Sequence, residues 1–350
     1  MDEMTTPAQD ARTPRIGLLY QMWELPSVTT SDVVDRCTEE FALAADLGYS
    51  SVWIGEHHFV RPTRAFAGRV PAPEVFIAHV AARVPGITFG TGVKILTESS
   101  AVRAAEEMSL LDLLCHGRVE FGVGQGATGG KGEEERARRQ QVYRDRLDDI
   151  LRLVAADTST GLPVLNVGPR PQLAERIWAA CRDDASVEHA AQHGLNYVVG
   201  QAENPHSQAK LVRRYREAGG TGRVRGVRAV HVAESRETAL AGFLDAFEVY
   251  ESPEGISGHH GDRYTRDAVA AGFLPARPTT LDGRLHQANI VLGTPDDVAK
   301  QLLEYVEVTG VDELDLLVQF AGLDAGRTRR TLELFAAEVR PRLGSLAGRG

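Results

Sequence analysis

The chain has 350 residues, 43% of them hydrophobic and 25% charged, with a formal net charge of −9. That length suits a single α/β barrel of roughly 250 residues plus insertions, and the acidic balance without a dense Lys/Arg cluster argues against nucleic acid or anionic membranes as partners. The three cysteines, Cys37, Cys115 and Cys181, are widely spaced, so neither a disulfide framework nor a zinc ribbon is expected and the setting reads as reducing and cytoplasmic.

Residues 1–14 are polar, lack the apolar core of a signal peptide, and read as a flexible tail. Nowhere does an apolar run reach the roughly 20 residues of a membrane span. Arg15–Tyr20 reads as the first strand. A helix is expected from about Ser31 as N-cap, with Val34, Cys37, Phe41 and Ala44 at helical spacing and Gly48 as its stop. Strand two, Ser51–Ile54, leads into Glu56-His57-His58. A helix over 74–83 precedes strand three, Ile87–Val93, and a helix over 102–114 precedes strand four, Val119–Val123. A long polar helix over 133–156 follows, with Val142, Leu147, Ile150, Leu151 and Val154 as the expected buried stripe. Further strands are expected at Arg176–Cys181, Leu195–Val199, Val224–Val232 and Glu313–Phe320. Thr294 is a good N-cap for the helix begun by Pro295, and the last helix carries Leu332, Phe335 and Val339 before Pro341 ends it. Alternation of strand and helix predicts a parallel sheet, and about eight strands predict closure into a barrel rather than a doubly wound sheet. Glu251–Ala288 breaks the rhythm and reads as a lid-like insertion between strands seven and eight.

In such a barrel the C-terminal tips of the strands carry the chemistry. Glu56, His57 and His58 sit at one tip. Imidazole suits proton transfer, although a structural histidine fits the same position. His58 is expected to point away from His57, and Glu56 either orients an imidazole or caps a loop. Gly122, Gly124 and Gly126 lie at another tip. They either let backbone approach a flat or phosphorylated ligand or simply make a tight turn. Residues 133–139, rich in Glu and Arg, read as a solvated helix face with local ion pairs. His259-His260 reads as part of a polar lid loop, and no metal site is expected.

Several stretches together resemble the bacterial luciferase-like flavin monooxygenases: Trp53–Phe59, Phe89–Leu96, Val102–Val123, Gly293-Thr294-Pro295 with its helix, and Leu334-Phe335 with Val339-Arg340-Pro341. The likeness runs from about Arg15 to Leu343, which implies one barrel domain over 15–343 and a short tail over 344–350. It implies a (β/α)8 TIM barrel that takes FMN in reduced form, FMNH2, as a diffusible cosubstrate from a separate flavin reductase. O2 and a small-molecule substrate such as an aldehyde, ketone or aromatic would complete the reaction, with secondary metabolism as a setting. His57 matches the family's catalytic histidine, with Glu56 beside it. Gly92-Val93 matches a peptide, sometimes cis, beneath the isoalloxazine. Gly124 and Gln125 occupy the flavin loop, where relatives carry a reactive cysteine and a phosphate-binding arginine. Arg182 and Ser186 are the groups left for the phosphate. Asp183 and Asp184 oppose it by about 1 kcal/mol per close charge pair in high dielectric.

The same residues admit two other readings. One is hydride transfer with the deazaflavin F420. The other is a non-catalytic partner subunit whose flavin site has been lost through Gln125, Asp183 and Asp184. A homodimer, or a heterodimer with a related barrel, is expected through the early helices.

Overall fold

The computed structural model describes residues 14–59, 65–126, 132–157, 159, 161, 163–252 and 278–347. The strands are β1 (Arg15–Tyr20), β2 (Trp23–Glu24), β3 (Ser51–Ile54), β4 (Ala67–Gly68), β5 (Thr88–Ile95), β6 (Val119–Gly124), β7 (Ile177–Ala180), β8 (Asn196–Val199), β9 (Val224–Val232), β10 (Ile290–Gly293) and β11 (Glu313–Leu317). Eight of them close on one another in the order β1-β3-β5-β6-β7-β8-β9-β11, every pair parallel, and β11 returns to β1. This is the expected (β/α)8 barrel.

Around it run α1 (Thr30–Asp46), α2 (Pro73–Ala81), α3 (Ala101–Leu114), α4 (Glu133–Ala155), α5 (Asp184–Gln192) and α6 (Pro205–Glu217). The second half adds α7 (Arg236–Glu251), α8 (Leu281–Gln287), α9 (Pro295–Thr309), α10 (Ala325–Leu334) and α11 (Arg340–Ala347). Among the described residues, no helix is long and apolar enough to cross a membrane. The strands are buried on both faces, which is why they read as nearly continuous apolar runs. Leu18, Val52 and Phe89 face the helices, while Leu19, Trp53, Trp178 and Val227 belong to a second cluster toward the barrel interior.

Several expectations shift on inspection. Helix α1 is capped by Thr29, not Ser31, because the Asp32 N–H donates to the Thr29 hydroxyl, and Val33 is the buried valine rather than Val34. The stripe of α4 runs through Tyr143 and Leu153, with Val142 and Leu151 only half-buried. Pro341 does not end the last helix. One π turn over Phe335–Val339 absorbs the missing proline N–H, and α11 continues to Ala347, so residues 344–347 are helical. Two features were not expected: the antiparallel pair β2–β4, and β10, which adds to the far half of β9. Of the lid-like insertion 251–288, only its flanks and α8 fall within the described residues, and His259-His260 lies outside them.

Not every buried group is matched. Glu40 of α1 is fully buried, with Arg36 4.0 Å away. Burial pushes its carboxyl up to about 7, against the pull of Arg36. The folded state therefore holds this proton more tightly than the unfolded chain. Stability is expected to fall as pH rises from about 4.3, the unfolded value, through 7, by up to about 3 kcal/mol. Glu40→Gln should match wild type in urea melts at pH 4.5 and exceed it at pH 8; equal stability at both pH values would refute this.

Candidate active site

Short strands aim their C-terminal ends at a common mouth, where a cavity of about 240 Å³ opens between β1, β3, β5 and β7–β9. His57, just past β3, lines it together with Gln21, Gly92, Val93 and Arg182. The His57 backbone N–H donates to the Val70 carbonyl at 2.8 Å, which fixes the turn. On the ring, Nε2 lies 2.8 Å from Gln21 Oε1. A glutamine amide offers an acceptor on one side and a donor on the other, so it can serve either protonation state of the imidazole. Two glycines make room for this pair. A Cβ on Gly68 would lie 2.0 Å from His57 Cδ2, and one on Gly55 would lie 2.2 Å from Gln21 Oε1. The β2–β4 pair, absent from the sequence reading, thus exists in part to back the histidine.

Glu56 and His58 turn elsewhere. His58 Nε2 sits 2.6 Å from Glu56 Oε1, and the Ile95 N–H donates to Glu56 Oε2 at 3.0 Å. The carboxylate thus both orients an imidazole and ties down the end of β5, but the imidazole is that of His58. Burial raises the Glu56 carboxyl above the usual carboxylate range, while the Ile95 N–H opposes the shift. Neither Glu56 nor His58 lines the cavity.

The peptide bond Gly92–Val93 is cis, at a register shift between β5 and β6. Gly122 of β6 lines the cavity opposite, and a Cβ there would meet the Thr91 carbonyl oxygen at 2.2 Å. Gly124 is excluded from bearing a side chain by Val93, 2.9 Å from where its Cβ would stand. Beyond it, the Gln125 carbonyl accepts from Thr97 at 2.8 Å and from Arg139 at 2.9 Å, while Gln125 Oε1 is buried and finds no partner among the described residues. Arg139 departs from the expected solvated face. It is buried and reaches Glu98 at 3.0 Å, although Arg138 and Glu135 do form the expected exposed pair.

After β7, Arg182 lines the cavity and pairs with the buried Glu203. Asp183 caps α5, accepting from the Ser186 N–H at 3.0 Å, and its carboxylate also takes Arg144 at 3.3 Å. Arg144 donates to Ser186 Oγ at 3.1 Å, so Ser186 is buried against α4 rather than at the cavity wall. Asp184 is exposed and lies 3.8 Å from Arg214.

The cavity floor was not anticipated. Arg225 lies between two indoles, 3.8 Å from the Trp53 ring centre and 3.9 Å from that of Trp178. It binds Glu313 at 2.6 Å and approaches Asp315 at 3.4 Å and Glu120 at 3.7 Å. Burial drives the Asp315 carboxyl up to about 7, with Arg225 opposing. The available signal was charge inside strands that are otherwise apolar, since such charges persist only in company.

A model of the luciferase-like monooxygenase family matches residues 16–313. The chain belongs to this family. Among relatives, this luciferase-like protein is 30% identical to YwcH, an uncharacterized protein of Bacillus subtilis, over 77% of this chain and 83% of that one. It is 25% identical to the N-acetyl-S-alkylcysteine monooxygenase of Bacillus subtilis, over 82% and 87% of the two chains. Among solved structures it superposes on the oxygenating constituent of 3,6-diketocamphane monooxygenase from Pseudomonas putida, a type II Baeyer–Villiger monooxygenase in complex with FMN. The TM-score is 0.71 at 18% identity, over 94% of this chain and 98% of that one. At that identity the likeness bears on the luciferase-like fold alone.

Proposed function

We propose that this luciferase-like barrel is an oxygenase that binds reduced FMN at its mouth and uses O2 to oxygenate a small or medium organic substrate, with the flavin supplied by a separate reductase. The observation that carries the reading is convergence: an imidazole held by an amide, a side-chain-free wall of Gly92 and Gly122, and the Arg182 guanidinium all meet at one largely apolar cavity. FMN bound to a relative with the same fold supports the choice of cofactor.

The glycine wall fits a flavin, because it admits a flat ring to the backbone. Arg182 would answer the phosphate charge. Asp183 opposes it less than its position in sequence suggests, because its carboxylate is engaged by Arg144 and the Ser186 N–H. Bound reduced FMN supplies the electrons that let one oxygen atom of O2 enter the substrate. The protein's part would be to exclude water with Trp23 and Trp53, to offer the Gly92–Val93 backbone to the ring, and to take or give a proton at the His57 imidazole, whose Nε2 Gln21 holds. Glu56 acts at one remove, as the anchor of His58 and β5.

Anaerobic titration of the full chain with reduced FMN tests this. A dissociation constant of about 10 μM or tighter, weakened at least tenfold by Arg182→Ala, is the expected result. Binding of F420 in place of FMN would move the reading to hydride transfer. Binding of neither would leave the partner-subunit reading.

Assembly through the early helices also has support. Val75 on α2 and Val102, Leu110, Leu113 and Leu114 on α3 are exposed, the α3 residues recurring at helical spacing. A group of exposed apolar side chains of this kind is consistent with a contact surface. Leu110→Lys with Leu114→Lys should convert a dimer to a monomer in light scattering without lowering helix content; an unchanged mass would place any interface elsewhere.

A further inference from the structure

On the outer surface, α4 and α5 bring three ligand-type side chains together. His189 and His193 are one helical turn apart, and Asp148 reaches across from α4. Asp148 Oδ1 lies 2.8 Å from His189 Nε2 and 3.0 Å from His193 Nε2, and all three atoms fall within 4.8 Å of one another. We propose that Asp148, His189 and His193 form a divalent transition-metal site, with zinc as the representative ion, which fastens α5 to α4.

The chemistry supports this class of ion. Two imidazole nitrogens and one carboxylate oxygen are borderline ligands that suit zinc, nickel or copper and not calcium or magnesium, which take oxygen ligands. Zinc bonds of about 2.0–2.1 Å in tetrahedral geometry place ligand atoms about 3.3 Å apart, so the oxygen–nitrogen separations of 2.8 Å and 3.0 Å need open by only a few tenths of an ångström to admit the ion. The scaffold is set before any ion arrives. One turn earlier on α4, Arg144 already clamps the start of α5 through Asp183 and Ser186, so the two helices cannot slide apart. The positive charge of Arg144 is felt at His189, but it is paired with Asp183. His193 is half-exposed, which gives an ion an entry path and leaves coordination positions for water. His189 Nδ1 has no acceptor among the described residues. An outer partner for a ligating histidine is worth about 10–100-fold in affinity, so binding in the micromolar range is expected rather than tighter.

The site is distinct from the cavity, and its test does not depend on flavin. Full-length protein freed of metal with a chelator, and of any histidine tag, is titrated with Zn2+ by calorimetry. One ion per chain is expected, with a rise in Tm at saturating Zn2+. His193→Ala, which alters a partly exposed residue and leaves folding intact, should weaken binding at least tenfold and remove the Tm shift. Asp148→Asn should do the same. Absence of uptake at about 100 μM Zn2+, far above the expected micromolar range, would overturn the site and leave a hydrogen-bonded trio. Unchanged binding in a His189→Gln/His193→Gln variant would overturn it equally, by placing the ion elsewhere.

Discussion

Arg225→Met is expected to destabilise the barrel by about 3–5 kcal/mol at pH 8, the range seen when one partner of a buried charge cluster is removed. Arg225 is fully buried between Trp53 and Trp178 and answers Glu313, Asp315 and Glu120 together. Its loss would leave three carboxylates near the barrel axis, with Arg223 and Arg15 as the remaining cations at 2.7 Å and 3.5 Å from Glu313, both far more exposed. The sign with pH follows. Uncompensated carboxylates bind protons more tightly in the folded variant than in the unfolded chain, so acid relieves the defect. The gap between variant and wild type should narrow between pH 8 and pH 5. Urea melts followed by tryptophan fluorescence report directly, since two of the three tryptophans flank the guanidinium. A gap that widens in acid would mean that the carboxylates are not the source of the cost. Arg225→Lys keeps the charge but loses the planar fork and much of the stacking, and should fall between the two.

His57→Ala is the second large effect. If the imidazole moves a proton during oxygenation, its loss should lower product formed per flavin oxidised by about 10²–10⁴-fold, with reduced-FMN affinity changed little. The assay supplies reduced FMN and O2 and screens aldehydes, ketones and aromatics for product. Gly68→Ala separates position from presence. Its methyl group would enter the space of the His57 ring, so the imidazole would remain but be displaced from Gln21. Both variants should lose coupling while still consuming reduced flavin. Full product yield in His57→Ala would remove the histidine from the chemistry.

The fold was legible because barrel strands are buried on both faces and announce themselves as short apolar runs. The cap at Thr294 was readable because its partner Asp297 is only three residues away and the box closes locally. Thr29 against Ser31 was not readable, since two threonines and a serine in a row all qualify and the burial of Val33 distinguishes them only in the fold. Strand β10 was hidden because four residues carry no periodicity and each pairs with a residue 61 positions upstream, as Ile290 does with Ala229. The same distinction divides the site. His57, Gly92–Val93 and Arg182 stood out by their place at strand tips. Gln21 also follows a strand tip, but its role as the partner of His57 exists only once β1 lies beside β3. Arg139 was misread because a run of alternating charge resembles a wet surface, and only the third dimension brings it under Gln125. Ser186 was expected at the phosphate but is taken by Arg144, which no local pattern discloses.

Strand β9 has one further consequence. Its first half closes the barrel between β8 and β11, and its second half runs on beside β10. The segment from α7 to α8 therefore leaves from and returns to two strands bonded to each other. Its two ends are also joined directly, since Arg284 donates to Glu251 at 2.6 Å. A stretch anchored in this way is a cassette. Lengthening it costs only the slow logarithmic growth of loop closure, about 0.6 kcal/mol per doubling, and leaves the register of the eight closing strands untouched. The chain between α7 and α8 can thus be exchanged as a unit, which gives protein engineers a defined splice point that leaves the barrel strands as they are.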